Sequence, residues 1–408
     1  MQGSDEILIR RERYQKLMMK SVDSHSIKVL VGMRRTGKST IMRMFIDDLI
    51  SSGIDKNDIY YRRFDDELDR ELPDLRGLID DVKSRIDVGP GKFILLDEMQ
   101  DIDGWERAVS SFFSSGANVY ITGSNSNMLS SQLASKLSGR YTEIDVYPPS
   151  FAEYIEFKRA VGDESDTDGL LNEFLRTGSL PDIVLMSDNN NDLKQMMLTG
   201  IFNTVYVKDV IGRNNIRNES LIGNLNRFLM RNIGDRTSVR SAVRYLNSSG
   251  YRTVPETIDS YIGMLESAIL FYRSKRMDSK TKDYLVTSEK FYSTDLGIRN
   301  VVVGARPGDI DGLLENAVFM ELKKRYGDVS TYDMDGQEID FVVWTPSYKA
   351  YYQVSTDISD AKTLKRELGP LKAVDDNYPK YLITMSNHFL KDADGINIVR
   401  FRDWMLDV

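Results

Sequence analysis

The chain has 408 residues, a net charge of −8, 28% charged residues, no cysteine and only two histidines, His25 and His388. That length suits two or three domains. The composition excludes disulfides, cysteine-based zinc sites, cysteine nucleophiles and nearly every histidine-dependent triad, so any chemistry must rest on carboxylates, Lys, Arg and Mg2+. The N-terminus has no apolar signal-type stretch, and no apolar run approaches the ~20 residues of a membrane span. A cytoplasmic protein with no membrane association is expected. The charge is uneven: residues 201–300 carry 16 Lys or Arg against 10 Asp or Glu. A basic middle in an acidic chain fits either a local polyanion surface or a merely solvated face.

In chain order, residues 27–31 (IKVLV) read as a short buried strand, and a helix-period pattern begins at Lys38. Between them Gly32 to Ser39 read GMRRTGKS, a complete G-x-x-x-x-G-K-[ST] phosphate loop. A loop joining a strand end to a helix start gathers backbone N–H groups and the positive end of the helix dipole at one place. Gly32 and Gly37 let the backbone wrap phosphates, Lys38 reaches the β- and γ-phosphates, and the Ser39 hydroxyl is placed for Mg2+. The nucleotide-contacting set expected from the loop is Gly32, Arg34, Arg35, Thr36, Gly37, Lys38, Ser39 and Thr40.

Further strand-like runs cover residues 59–64, 92–96, 118–122 and 141–146. Apolar strands alternating with helical patterns imply a parallel sheet covered on both faces. The run 92–96 ends in Asp97-Glu98. Two carboxylates at the end of a buried strand are costly unless a cation or reacting group uses them. Asp97 is therefore expected in the Mg2+ shell, and Glu98 as the base that polarises the attacking water. The run 118–122 leads into Gly-Ser-Asn-Ser, where Asn125, or failing it Ser124, could orient that water; either residue could equally be a helix cap. Arg140 reads as an arginine finger acting in its own chain or from a neighbouring subunit of a homo-oligomer, or else as a surface helix cap. No N-K-x-D guanine motif occurs, which favours ATP over GTP.

These motifs resemble a family of AAA-type P-loop ATPases of bacteria and archaea that carry a C-terminal domain of uncharacterised function. The matching segments are VGMRRTGKST, YYRRFDDE, FILLDEMQDIDGWE, ITGSNSNMLS, LSGRYTEIDVYPPSFAEY, KDVIGRNNI, ENAVFMEL, EIDFVVW and YYQVS. The resemblance implies a sheet with an additional strand, Glu98 as the base, and Gln100 and Arg140 as parts of the site.

Past residue 160, polar turn-rich stretches bracket a short helical segment, which reads as a lid or a linker. Residues 221–231 and 238–246 have helical periodicity, and Thr253-Val254-Pro255-Glu256 forms a capping box before a third helix. The strand-like runs 269–272 and 284–286 then flank a basic segment, like the wing of a winged helix. With the local positive charge this suggests DNA contact through residues 201–300, including Arg273, Lys275 and Arg276, although a winged helix used only for packing or protein contact has the same pattern.

The last hundred residues resemble a PD-(D/E)xK nuclease fold, with Glu315 on a helix and Asp340 on a strand. The next strand should present an acid and then a lysine; it carries Gln353 and Ser355 instead. Without that lysine, Glu315, Asp340 and Gln353 read as a degenerate site, unless Lys362 or Lys365 reaches back.

The expected organisation is an α/β protein. A P-loop AAA-type parallel-sheet core fills residues 1–160, a helical lid or linker 161–200, a winged-helix domain 201–300 and a nuclease-like α/β domain 301–408. The expected activity is Mg2+-dependent ATP hydrolysis coupled to DNA; the alternatives are a nucleotide-state switch that binds protein and an ATP-coupled nuclease.

Overall fold

The computed structural model describes residues 8–65, 74–99, 102–125, 139–186, 190–214, 216–278, 281, 283–334, 336–387 and 390–407. The chain divides into two compact units, residues 1–148 with 267–269 and residues 149–266 with 270–408. No helix among the described residues is long and apolar enough to cross a membrane.

The first unit is built on strands β1 (Ile27–Val31), β2 (Ile59–Arg63), β3 (Phe93–Asp97), β4 (Asn118–Gly123) and β5 (Tyr141–Asp145), with helices α1 (Glu12–Lys20), α2 (Lys38–Ser51), α3 (Leu75–Arg85) and α4 (Trp105–Ser114). Every residue of β1 and β3 is buried, which requires cover on both faces of the sheet. Met18 of α1 and Ile41, Met42, Phe45 and Leu49 of α2 pack on Leu30, Leu95 and Tyr120 to supply part of it. The strands run parallel in the order β2-β3-β4-β1-β5. Strand β4 therefore stands between β1 and β3, the additional-strand arrangement that the sequence resemblance implied. Because the strands are parallel, the loop after β1, the carboxylates ending β3 and the polar residues ending β4 all emerge on one edge. That edge is where open α/β sheets bind ligands.

In the second unit the helices come first. They are α5 (Phe151–Ala160), α6 (Thr167–Thr177), α7 (Pro181–Val184) and α8 (Asn191–Thr204), the last continuing as a π-helical stretch, Val205–Ile211. Helix α5 lies inside the expected ATPase core by sequence, yet its Phe151 and Tyr154 rings pack on Phe174 of α6 at 5.4 and 5.5 Å. The division between the units accordingly falls at Pro148/Pro149. The segment expected as lid or linker supplies buried Leu170, Leu171, Phe174 and Leu175 to the core of this unit, so it is not a bare tether.

Helices α9 (Glu219–Arg231), α10 (Val239–Ser248) and α11 (Pro255–Ser267) follow, then the antiparallel hairpin β6 (Phe271–Asp278) and β7 (Tyr284–Ser293). Thr237, just before α10, bridges antiparallel to Glu289 of β7. The rest is α12 (Leu296–Val303), α13 (Ile310–Tyr326), β8 (Ser330–Met334), β9 (Gln337–Trp344), β10 (Lys349–Ser355), α14 (Ala361–Ala373), β11 (Lys380–Thr384), β12 (Asp392–Ala393), β13 (Ile396–Arg400) and α15 (Phe401–Leu406).

The hairpin does not stand apart as a wing. β6 pairs in parallel with β8, and one eight-stranded sheet runs β12-β13-β11-β10-β9-β8-β6-β7. Residues 201–300 and 301–408 thus share a sheet and are not independent domains, because backbone pairing crosses the expected boundary.

Candidate functional site

In the first unit the phosphate loop closes tightly on its neighbours. A Cβ on Gly32 would lie 2.2 Å from the Val146 carbonyl oxygen, so only glycine fits there. Gly37 (φ 93°) and Arg35 (φ 69°) take the left-handed conformation that turns the loop into α2. Arg11, buried at 4% exposure, donates to the carbonyls of Thr36 (3.2 Å) and Tyr147 (2.9 Å) and braces the loop from outside. The Thr36 hydroxyl donates to Met33 O at 3.0 Å.

Lys38 is 3% exposed; its ammonium donates to Gly32 O (2.9 Å) and Met33 O (3.2 Å) and lies 3.2 Å from Glu98 Oε1. Asp97 is fully buried. Burial raises its pKa above the ordinary carboxylate value, opposed by hydrogen bonds from Thr122 and Ser39. Glu98 turns out of the strand at φ 56°, a costly conformation for a residue with a side chain, of the kind that clusters at functional sites.

Thr122, near the end of β4, holds the two acids together. Its hydroxyl donates to Asp97 Oδ1 at 2.6 Å and accepts from the Glu98 backbone N–H at 2.9 Å. Tyr61 of β2 donates to the other oxygen of Asp97 at 3.2 Å. Sequence reasoning missed both residues. Their signal was only a hydroxyl in two strands that flank the Asp-Glu strand, and that becomes informative once the strand order is known. Ser124 and Asn125 are buried just past β4, on the same edge.

Arg140 lies at the other end of the sheet from the phosphate loop. It is exposed and precedes β5, which runs parallel to β1 with Ile27 beside Tyr141 and Val31 beside Asp145; its carbonyl accepts from Ile27 N–H. It therefore lies at the start of the strands, about 13 Å along β1 from the phosphate loop. A parallel strand that begins just after Arg140 sets its backbone on the edge opposite that loop. Gln100 lies outside the described residues.

In the second unit Glu315, Asp340 and Gln353 do come together, around a residue that sequence reasoning missed. Lys290 of β7 is 4% exposed, with its ammonium 2.8 Å from Glu315 Oε1, 2.8 Å from Glu338 Oε1 and 3.4 Å from Asp340 Oδ1. Tyr292, two residues on and on the same strand face, donates to Glu315 Oε1 at 2.7 Å. Val354 N–H donates to Asp340 Oδ2 at 2.9 Å, and Gln353 donates to Glu367 Oε2 at 3.0 Å. Burial and then the Glu315 charge push Asp340 up to about 7. Burial by itself would lower the Lys290 pKa, but Glu315, Asp340 and Glu338 together hold it above the ordinary lysine value. The ammonium that faces these acids of α13 and β9 is thus supplied by β7, where the sequence offers Lys362 or Lys365.

The basic hairpin is largely neutralised by its own unit. Arg273 pairs with Glu266 at 2.6 Å and Glu289 at 3.0 Å, and Arg276 pairs with Asp333. Exposed arginines in this region lie on the helices and their turns: Arg217, Arg227, Arg231, Arg240, Arg244 and Arg252, together with Arg236, which pairs with Glu338 and Asp333. Arg217 and Arg252 border a cleft of about 880 Å3 between the starts of α9 and α11.

Residues 24–155 match the AAA domain family, and residues 168–309 match a domain of unknown function (DUF8612). A Haemophilus influenzae protein described as uncharacterized is 32% identical over 401 residues, covering 98% of this chain and 99% of that one. A Methanocaldococcus jannaschii protein, likewise described as uncharacterized, is 27% identical over 412 residues, covering 94% of this chain and 88% of that one. Among solved structures, a Walker-type ATPase of Pyrococcus abyssi is similar in fold, with a TM-score of 0.51 at 14% identity over 72% of this chain and 96% of that one.

Proposed function

The chain belongs to the family of the Haemophilus influenzae protein, and we propose that it is a Mg2+-dependent ATPase acting on or with DNA through its second unit. The observation that carries the ATPase reading is the convergence of Lys38, Asp97 and Glu98 on one sheet edge behind a complete phosphate loop.

The Ser39 hydroxyl lies close enough to the Asp97 carboxylate to oppose the rise of its pKa, and the two are hard oxygen donors of the type Mg2+ takes. When bound there, Mg2+ would neutralise charge on the β- and γ-phosphates. The protein's own residues do the rest. Arriving phosphates compete for the Lys38 ammonium and draw it from Glu98. The freed carboxylate can then accept a proton from a water whose oxygen attacks the γ-phosphorus, as the bond to the β–γ bridging oxygen breaks. Thr122 keeps Asp97 and the Glu98 backbone in register, and Asn125 faces the same edge as a candidate for orienting the water. Arg140, exposed at the far edge, fits a finger offered to a neighbouring copy of the chain.

The succession α9, the Thr237 bridge, α10, α11 and the β6–β7 hairpin supports a winged-helix arrangement fused to the larger sheet. The order α13, β8, β9, β10, α14, β11 supports a nuclease-like core. Exposed arginines on α9, α10 and the turn before α11 favour nucleic acid as the partner of this half.

The test is ATP turnover by the full chain, with and without single-stranded, duplex and branched DNA. Hydrolysis that disappears in Lys38→Ala and is stimulated by DNA supports the whole reading. Hydrolysis indifferent to every DNA would leave the ATPase standing and turn the second unit toward a protein partner.

A further inference from the structure

We propose that the Lys290 ammonium stands where a divalent cation would sit among Glu315, Glu338 and Asp340, and that neutralising it opens a divalent-cation site in the second unit. This goes beyond the ATPase reading and does not depend on it.

The geometry is that of an occupied cation site. One positive group faces three carboxylates, two from alternate residues on one face of β9 and one from α13. The charge comes from the neighbouring hairpin, so the cation is covalently part of the chain and cannot exchange. Its shortest oxygen contacts, both 2.8 Å, are ammonium distances. A divalent cation draws carboxylate oxygens to about 2.0–2.6 Å, so the ligands would close by a few tenths of an ångström around a metal. Among the described residues no three acids or histidines are disposed to hold a metal as they stand.

The remaining polar contacts favour persistence of the cage after Lys290 is replaced. Tyr292 still donates to Glu315, Val354 N–H still fixes Asp340, and Arg236 still pairs with Glu338. Three carboxylates left with less positive charge at their centre repel one another, and a divalent cation is the species that relieves this. The degenerate character of the site would then lie in Lys290, which is present, as much as in the lysine missing at Ser355.

The experiment uses the full chain, free of nucleotide, at pH 8, and reads Mn2+ binding by electron paramagnetic resonance and calorimetry. Lys290→Met is expected to gain Mn2+ binding at least ~10-fold tighter than the wild type, and adding Asp340→Asn should remove the gain. The Asp340 control separates this site from Mn2+ taken up at the phosphate loop. A wild type that already binds Mn2+ in an Asp340-dependent way would overturn the proposal, as would a folded Lys290→Met variant with no gain. Should Lys290→Met fail to fold, Lys290→Met/Glu338→Gln keeps the net charge and retains Glu315 and Asp340 as donors. Mn2+ should raise its Tm by several degrees and leave the wild-type Tm unchanged. A Tm in that double variant indifferent to Mn2+ would equally sink the idea.

Discussion

Each unit buries a lysine against carboxylates, and the two lysines differ in how firmly they are held. Lys38 sits at a loop–helix junction, shares its ammonium between two loop carbonyls and touches one carboxylate, Glu98, at 3.2 Å. Lys290 sits within a strand of an eight-stranded sheet and is surrounded by three carboxylates. The first arrangement can exchange partners when phosphates arrive; the second has no carboxylate to spare. Pairing a lysine with acids says little about function until the number of acids and the stiffness of the backbone are counted.

The largest effect that would break this contrast is on stability. Removing one partner of a buried charge cluster leaves the others uncompensated, so Lys290→Ala should lower unfolding free energy by about 3–5 kcal/mol in urea titrations. Lys38→Ala, at a loop that retains its glycine turns and the Arg11 brace, should cost clearly less. Equal losses would mean that the two lysines are equally structural.

Next in size is catalysis. Glu98→Gln should bind ATP about normally and turn it over at least ~10²-fold more slowly, as loss of a general base requires. Unchanged turnover would remove Glu98 from that role. Thr122→Val deprives buried Asp97 of its closest donor, which should cost about 1–3 kcal/mol of stability. It should also lower kcat, while Thr122→Ser restores most of both; a Val variant with wild-type kcat would reduce Thr122 to packing.

The second unit should also respond to pH. Asp340 is raised from 3.8 to about 7 in the folded chain. Between these values the unfolded chain has released a proton that the folded chain keeps. Stability therefore falls as pH rises through this window, by up to about 1.4 kcal/mol per pH unit, and levels off above it. Asp340→Asn should flatten that slope in urea titrations from pH 5 to 8, and an unaltered slope would assign the dependence to another group.

The smallest effect concerns the basic region. Arg240→Ala and Arg244→Ala should each reduce the salt dependence of DNA affinity by about one unit of slope for every phosphate left without its guanidinium. Arg273→Ala, whose guanidinium is committed to Glu266 and Glu289, should leave that slope unchanged and destabilise the hairpin instead. The reverse pattern would restore the hairpin as the DNA-facing surface.

Much of the first unit was legible without coordinates. The phosphate loop, the strand ending in Asp97-Glu98 and all five strands are local features, each written in a few consecutive residues whose burial and turn chemistry agree. What stayed hidden depended on which distant segments lie side by side. Thr122 and Tyr61 matter because β4 and β2 flank β3, and Arg140 is far from its own phosphate loop because β5 runs parallel to β1. In the second unit the sequence named Glu315, Asp340 and Gln353 but supplied the wrong candidates for their cation. Lys290 comes from a hairpin expected to project as a wing, and only the pairing of β6 with β8 brings it under α13 and β9. Strand register and sheet order are set by non-local hydrogen bonds and shared burial, which no short window of sequence contains.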